Sequence, residues 1–404
     1  MLSRSSPPAG LPDKDIFFVN LIDFTPFFFY SHRDFMNETS TYNAMLALAD
    51  GQVFRGRSFG AGGESRGELI FNTAMSGYQE VLTDPSYHGQ IVLMTYPLIG
   101  NYGVNSDDIE SASIRVAGFV VREYCEHYSN YRAEKSLGKY LTENGIIAIE
   151  GIDTRAVTRA VRNRGAMNCV LSTVDLSPDS LVAKAKAAPP MEGSDYVRAV
   201  TASAPYDWNQ EGTYKIAVLD LGIKYNILRL LAQRGARLRV FPASATKADI
   251  MDFQPDGLFL SNGPGDPAAV PYVVETVRSL VEKLPVFGIC MGHQILGQVF
   301  GATTRKLKFG HHGANQPVFD HTTDKVEISS QNHGFCVDED TLSSDTVTVT
   351  HINLNDRTVE GLRHNRLPVF SVQYHPEAAP GPHDSNYLFD RFIASIQRQR
   401  GESS

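Results

Sequence analysis

The stretch GICMG at 288–292 constrains this chain more than any other. It follows an apolar run, PVFGI at 285–289, and precedes a pattern in which Ile295 and Leu296 recur toward Val299 and Phe300. A short apolar run bounded by proline suits a buried parallel strand. Glycines two places before and after a cysteine let the backbone turn sharply from strand into helix. That is the spacing of a nucleophile elbow, in which the middle side chain stands at the C-terminal edge of the strand. A helix N-terminus there favours the thiolate, the reactive form of cysteine. The competing reading is a small core thiol, the commoner use of a free cysteine. Cys290 and its neighbours alone do not separate the two.

The sequence around the elbow alternates between strand and helix. Strands are expected at 215–219, 237–241 and 258–260, and helices at 226–233, 247–253 and 272–283. This rhythm predicts a mostly parallel, helix-flanked sheet. In such sheets function collects at the C-terminal ends of strands, where SNGPGDP at 261–267 and the elbow both fall. Gly263 and Gly265 leave bare backbone N–H groups for an oxyanion or carboxylate, although the same run would also serve as a tight turn. Near the C-terminus, VFSVQYHPE at 369–377 reads as a strand that delivers His375. Positions i and i+2 of an extended segment face the same way, so Glu377 can reach the His375 imidazole. Cys290, His375 and Glu377 then supply a nucleophile, a base and a group that fixes the tautomer of the base. His311, His312, His333 and His383 are expected in loops without an acidic or cysteine cluster, so no metal site is expected. No GxxxxGK[ST] run occurs, so no P-loop is expected either.

At 404 residues the chain has room for two or three cores. The first half mixes strands at 44–48, 52–55, 69–73, 90–94, 115–121 and 146–149 with a helix at 136–144. A second helix is expected to start on Asp153 as N-cap and to stop at Gly165. Asp50-Gly51 reads as a hairpin turn and Thr83 to Ser86 as a turn. The expected fold class is α/β: a mixed N-terminal α/β domain at 43–188, then a mostly parallel sheet domain at 213–404 carrying the cysteine elbow. Residues 189–212 turn polar and read as the linker, with the single tryptophan, Trp208, docked on a domain surface. Residues 1–42 stand apart. IFFVNLIDFTPFFFY at 16–30 is apolar but broken by Asn20, Asp23 and Pro26, and it is shorter than the roughly 20 residues of a spanning helix. With Met36 and Met45 ahead of the organised sequence, 1–42 reads as a disordered extension or an over-long start, and no membrane association is expected. A net charge of −8 lacks the basic excess of a nucleic-acid binder. Four dispersed cysteines without a CxxC pair argue against a disulfide framework and suit a reducing, cytoplasmic compartment.

Three of these segments, SNGPGDP at 261–267, FGICMGHQILG at 287–297 and QYHPE at 373–377, resemble the signatures of class I glutamine amidotransferase domains. The first half extends the likeness. GELIFNTAMSGYQEVLTDPSYHGQIVLMTYPLIGNYG at 67–103 and GIDTRAVTRAVRNRGAMN at 151–168 resemble the small chain of carbamoyl-phosphate synthetase. KFGHHGANQPV at 308–318, SSQNHGFCVD at 329–338 and HPEAAPGPHD at 375–384 fit the same family, and the likeness spans about residues 43 to 397.

The resemblance implies that Cys290 attacks the side-chain amide of L-glutamine, with His375 as base and then acid and Glu377 orienting it. It implies an oxyanion hole from the backbone N–H groups of Gly263 and Met291. Glutamine contacts would fall on Ser86, Gly263, Gly265, Met291, Gln294, Asn332, Gly334 and Phe335. Ser86 lies in the first domain, so the site is expected at the domain interface. Met291 stands where relatives often carry leucine. The resemblance also implies a larger partner subunit that uses ATP, Mg and bicarbonate to make carbamoyl phosphate for arginine and pyrimidine synthesis. No cofactor is expected on this chain itself. A free-standing cysteine hydrolase of γ-glutamyl compounds shares the triad but leaves the first domain unexplained. A non-catalytic scaffold has no need of an intact triad.

Overall fold

Two main sheets organise residues 42–402, the part of the chain described by this computed structural model. The first is a closed barrel of β1 (Ala44–Leu48), β2 (Val53–Ser58), β3 (Glu64–Asn72), β4 (Gln90–Met94), β5 (Gly118–Val120), β6 (Ala148–Glu150) and β7 (Met167–Ser172). The order is β1-β2-β6-β5-β4-β3-β7, and β7 returns to pair with β1. Closure leaves the barrel without free strand edges. Leu46, Leu69, Ile91, Val120, Ile149 and Leu171 pack together in one of its cores. Helix Thr154–Arg164 packs beside them; the Asp153 side chain accepts from Ala156 N at 2.9 Å, and Gly165 at φ 104° ends the helix. Met45 lies inside β1 rather than ahead of it.

Among the described residues the second sheet has ten strands. They are β8 (Tyr206–Asn209), β9 (Tyr214–Asp220), β10 (Ala236–Pro242), β11 (Gly257–Leu260), β12 (Val286–Ile289), β13 (Thr304–Asp320), β14 (Lys325–Val337), β15 (Val347–Asn353), β16 (Val359–His364) and β17 (Val369–Val372). The order is β8-β10-β9-β11-β12-β17-β16-β15-β13-β14. Strands β10, β9, β11, β12 and β17 are mutually parallel and carry the elbow at the end of β12. The other pairs are antiparallel, ending in the long β13–β14 hairpin. A parallel neighbour needs a crossover, usually helical. No α-helix intervenes between β13 and β17, so that part of the sheet grows by antiparallel pairing. One face of the parallel strands buries Phe259, Phe287, Phe370, Phe389 and Phe392, with Phe287 and Phe370 stacked at 4.4 Å. The other buries Leu260, Val273, Val277, Ile295 and Leu296. Burial on both faces accounts for the unbroken apolar runs of β11 and β12.

Residues 189–212 contain a short helix, Val197–Val200, and strand β8, which pairs with β10 at the sheet edge. Trp208 packs against Tyr225 with ring centroids 5.0 Å apart. The expectations for the segment 1–41 fall outside the described residues. Among the described residues, no helix is long and apolar enough to cross a membrane. The barrel meets the sheet along β13: Thr73 N donates to His312 O at 3.1 Å, Ala166 N donates to Lys308 O at 2.7 Å, and Lys306 Nζ lies 2.5 Å from Glu68 Oε1.

Candidate active site at the barrel–sheet seam

Strand β12 ends at Ile289, and helix Met291–Val299 begins two residues later. Cys290 joins them at φ 53° and ψ −103°, a conformation that costs about 1–3 kcal/mol in a residue with a Cβ and tends to mark functional positions. The flanking glycines are required by space. A Cβ on Gly288 would lie 2.7 Å from Gly292 O, and one on Gly292 would lie 2.4 Å from Leu260 O. Backbone bonds lock the turn: Cys290 N donates to Val372 O at 2.9 Å and Gly292 N to Ser261 O at 3.0 Å. Cys290 is buried, and its Sγ lies 3.6 Å from Asn332 O. Met291 buries its side chain in the core with Leu260 and Ile295. As the first helical residue its N–H has no intrahelical acceptor, so what it offers the site is backbone.

His375 follows β17, and its backbone N–H bonds to Ser330 O of β14 at 2.8 Å. Nδ1 lies 2.6 Å from Glu377 Oε1, while the buried Nε2 has no partner. Burial alone would push the imidazolium down, but the charges of Glu377 and the Cys290 sulfur carry it up to about 10. Glu377 also meets Lys224, whose Nζ lies 3.1 Å from the same Oε1 and donates to Ala378 O. Burial pushes the Glu377 carboxyl up, yet Lys224 and His375 together bring it down to about 2. Lys224 is fully buried and was not singled out from the sequence.

A narrow cleft adjoins Cys290. Seven of the eight expected glutamine contacts line it: Ser86, Gly263, Gly265, Gln294, Asn332, Gly334 and Phe335. The exception is Met291, for the reason given above. Gln90 and Met191, from the barrel and the segment after it, line it too, as do His312 and His333. Ser86 is held by Asp84, which accepts from Ser86 N at 2.9 Å, and its hydroxyl accepts from Asn262 Nδ2 at 2.9 Å. Asp84 also accepts from Asn332 Nδ2 at 2.9 Å. One barrel carboxylate therefore ties the Pro85–Tyr87 turn to the β14 wall of the cleft. The sequence showed Asp84 only as a turn residue.

The remaining histidines correct an expectation. His311 and His312 lie in β13 and His333 in β14, not in loops, and acidic groups accompany them. His311 Nε2 is 2.9 Å from Asp356 Oδ2, and Nδ1 is 3.6 Å from Glu360 Oε1. Burial opposes its charge, but the two carboxylates raise it to about 9. His311, His333 and Glu360 bring potential ligand atoms within 4.8 Å of one another. Both nitrogens of His333 are already bonded, to Phe335 O at 2.8 Å and Gln331 Oε1 at 2.9 Å. His311 is thus held charged between two carboxylates, and both His333 nitrogens face polar partners, in one buried hydrogen-bonded cluster.

Residues 46–171 match the CPSase domain of the carbamoyl-phosphate synthase small chain, and residues 217–395 match class-I glutamine amidotransferase. The carbamoyl phosphate synthase small chain of Syntrophotalea carbinolica is 52% identical over 371 residues, covering 88% of this chain and 98% of that one. That of Aquifex aeolicus is 52% identical over 368 residues, covering 88% and 99%. That of a Nostoc species is 53% identical over 371 residues, covering 88% and 95%. The likeness runs through both the barrel that supplies Ser86 and the sheet that supplies Cys290, and on that footing the chain belongs to the carbamoyl phosphate synthase small chain family.

Proposed function

We propose that this chain is the glutamine-hydrolysing subunit of a carbamoyl-phosphate synthase, with Cys290 as nucleophile. The thiol proton of Cys290 rests on His375 Nε2 as an ion pair before substrate arrives, and Sγ then attacks the side-chain amide carbon of L-glutamine. The N–H groups of Gly263 and Met291 stabilise the oxyanion; losing one such donor costs about 10²–10³ in rate. Collapse of the intermediate breaks the C–N bond, His375 protonates the departing ammonia, and a γ-glutamyl thioester remains. Water, deprotonated by His375, then releases glutamate and restores the thiol. Glu377 holds the imidazole in the tautomer that leaves Nε2 facing the reaction and stabilises the imidazolium. A His375 poised well above neutrality keeps the proton until the amine leaves.

The single observation that carries this reading is Cys290 at a positive-φ elbow beside a histidine whose Nδ1 is fixed and whose Nε2 is unpartnered. Membership of the small-chain family supports the rest: a larger subunit, binding ATP and Mg, that joins the ammonia to bicarbonate. The product would serve arginine and pyrimidine synthesis in the cytoplasm, and this chain itself would need no cofactor. A free-standing hydrolase would not need a barrel that reaches into the site through Asp84 and Ser86.

The test is ammonia release from glutamine by the purified chain. Slow release that Cys290→Ser abolishes and a large subunit accelerates is the expected result. Undiminished release by Cys290→Ser would overturn the mechanism.

A further inference from the structure

A second cavity, of about 410 Å³, lies apart from the catalytic cleft and shares no lining residue with it. It is enclosed by helix Tyr387–Gln399 and strands β15, β16 and β17. Its volume falls within the roughly 300–1,000 Å³ of small-molecule sites. The floor is buried and polar: Thr350, His351, Ser371 and Ser395 are each at most 6% exposed.

Three arginines reach this cavity, and no aspartate or glutamate lines it. Arg391, Ser395 and Arg398 follow one another at spacings of four and three, so they share one face of the helix. Arg363 comes from β16. Among the described residues none of the three arginines is in a salt bridge. Arg400, just past the end of the same helix, pairs by contrast with Asp256 at 3.6 Å and Glu402 at 2.9 Å. Aromatic rings hold Arg391 instead: its guanidinium carbon lies 5.2 Å from the ring centroid of Tyr387 and 6.0 Å from that of Phe370. Its Nη2 meets Thr322 Oγ1 at 3.4 Å. The carboxylate of Asp320, beside Thr322 and Thr323, is buried and already engaged. It accepts from Thr322 N at 2.6 Å, Thr323 Oγ1 at 3.0 Å and Tyr387 Oη at 3.1 Å. In a chain of net charge −8, three unpaired guanidinium groups on one cavity mark a place for an anion. A phosphate monoester brings three acceptor oxygens and about two negative charges. Guanidinium forks match that geometry, and threonine and serine hydroxyls can donate to it as well.

We propose that this cavity binds a phosphorylated small molecule, with the phosphate on Arg363, Arg391 and Arg398 and the rest of the ligand over the hydroxyl-bearing floor. The site is separate from the triad but built on the same strand. Val372 O of β17 accepts from Cys290 N at 2.9 Å, and Ser371 Oγ lies 2.9 Å from His293 Nδ1 on the elbow helix. An occupant would rest against the strand that holds the elbow.

Calorimetric titration of the full chain with ribose 5-phosphate tests the proposal, first alone and then in complex with its large subunit. Binding is read without glutamine, so the outcome does not depend on the hydrolysis proposed above. Saturable binding is expected, with a Kd of about 10 μM to 1 mM, and inorganic phosphate should compete. Arg391→Gln and Arg398→Gln should each weaken binding about tenfold or more, the worth of a hydrogen bond to a charged group. Both variants should melt near the wild type. Arg400→Gln, which removes an equal charge at the end of the same helix, should bind like the wild type. Absence of saturable binding by both ribose 5-phosphate and phosphate overturns the inference, as does equal weakening by Arg400→Gln. Succinate binding as tightly as ribose 5-phosphate overturns the assignment of a phosphate. Loss of binding in the complex would give the arginines to an acidic segment of the large subunit, and the inference would fall.

Discussion

Glu377 Oε1 serves two cations at once, His375 at 2.6 Å and Lys224 at 3.1 Å, in a fully buried setting. Removing one partner of such a group leaves an uncompensated charge, at a cost of about 3–5 kcal/mol. Lys224→Met should therefore lower the urea midpoint at pH 7 markedly and reduce kcat more than it raises KM. The pH dependence has a definite sign. The Glu377 carboxyl sits below its ordinary value of 4.5, so its contribution is present above that value and is lost as pH falls toward about 2. Without Lys224 that loss should begin at higher pH, which urea titrations between pH 3 and 6 would reveal. The triad was legible in the sequence because its signals are local: Gly-x-Cys-x-Gly, and a histidine two residues from a glutamate. Lys224 and Asp84 were not, because each acquires its role from a partner brought near only by folding; Lys224 meets Glu377 across 153 residues of chain.

The elbow and the β13–β14 hairpin respond differently to the same substitution. Gly292→Ala would place a methyl group 2.4 Å from Leu260 O, a backbone atom that cannot move without displacing β11. The change should cost about 1–3 kcal/mol or more and abolish activity with it. A Cβ on Gly334 would meet nothing within 4 Å, yet that residue lines the cleft. Gly334→Ala should melt like the wild type and raise KM for glutamine, a split that calorimetry and steady-state kinetics together would show. The parallel strands were legible because each is a short apolar run followed by helical periodicity. The hairpin was not. Its register shifts between Lys306 and His311 and again between Gly313 and Gln316, and its buried residues include His311, His312, Gln331 and Asn332. Irregular pairing and polar burial erase the alternation by which a strand is recognised, and both occur where this strand pair lines the cleft. Barrel closure was hidden for another reason: it is a property of pairing between β1 and β7, more than a hundred residues apart.

For the molecule as a whole, buried titratable groups act differently on the two sides of neutrality. Below pH 6.5 the terms conflict. Burial pushes His312 down to about 4 and His293 to about 3, so each resists the proton that the unfolded chain would take. Burial also raises Glu80 and Glu110 to about 7, so the native state holds protons there that the unfolded chain releases. His333, pushed well down by burial, acts with those two histidines, so the contributions cancel only in part and the acid limb should be gentler than three histidines alone would give. Above pH 7 the terms agree. His311, raised to about 9 against the cost of burial by Asp356 and Glu360, and His375, raised to about 10 by Glu377 and Cys290, both hold protons that the unfolded chain has lost. Their stabilisation is complete below the unfolded value of about 6.5 and is lost as pH rises through the folded values. Each group contributes a slope of about 1.4 kcal/mol per pH unit while the two states differ by a proton. Urea midpoints measured from pH 7 to 9 should therefore fall steadily, and His311→Gln, which removes one of these groups, should reduce that slope. A slope unchanged in His311→Gln would mean that His311 is not the charged centre of the Asp356–Glu360 cluster.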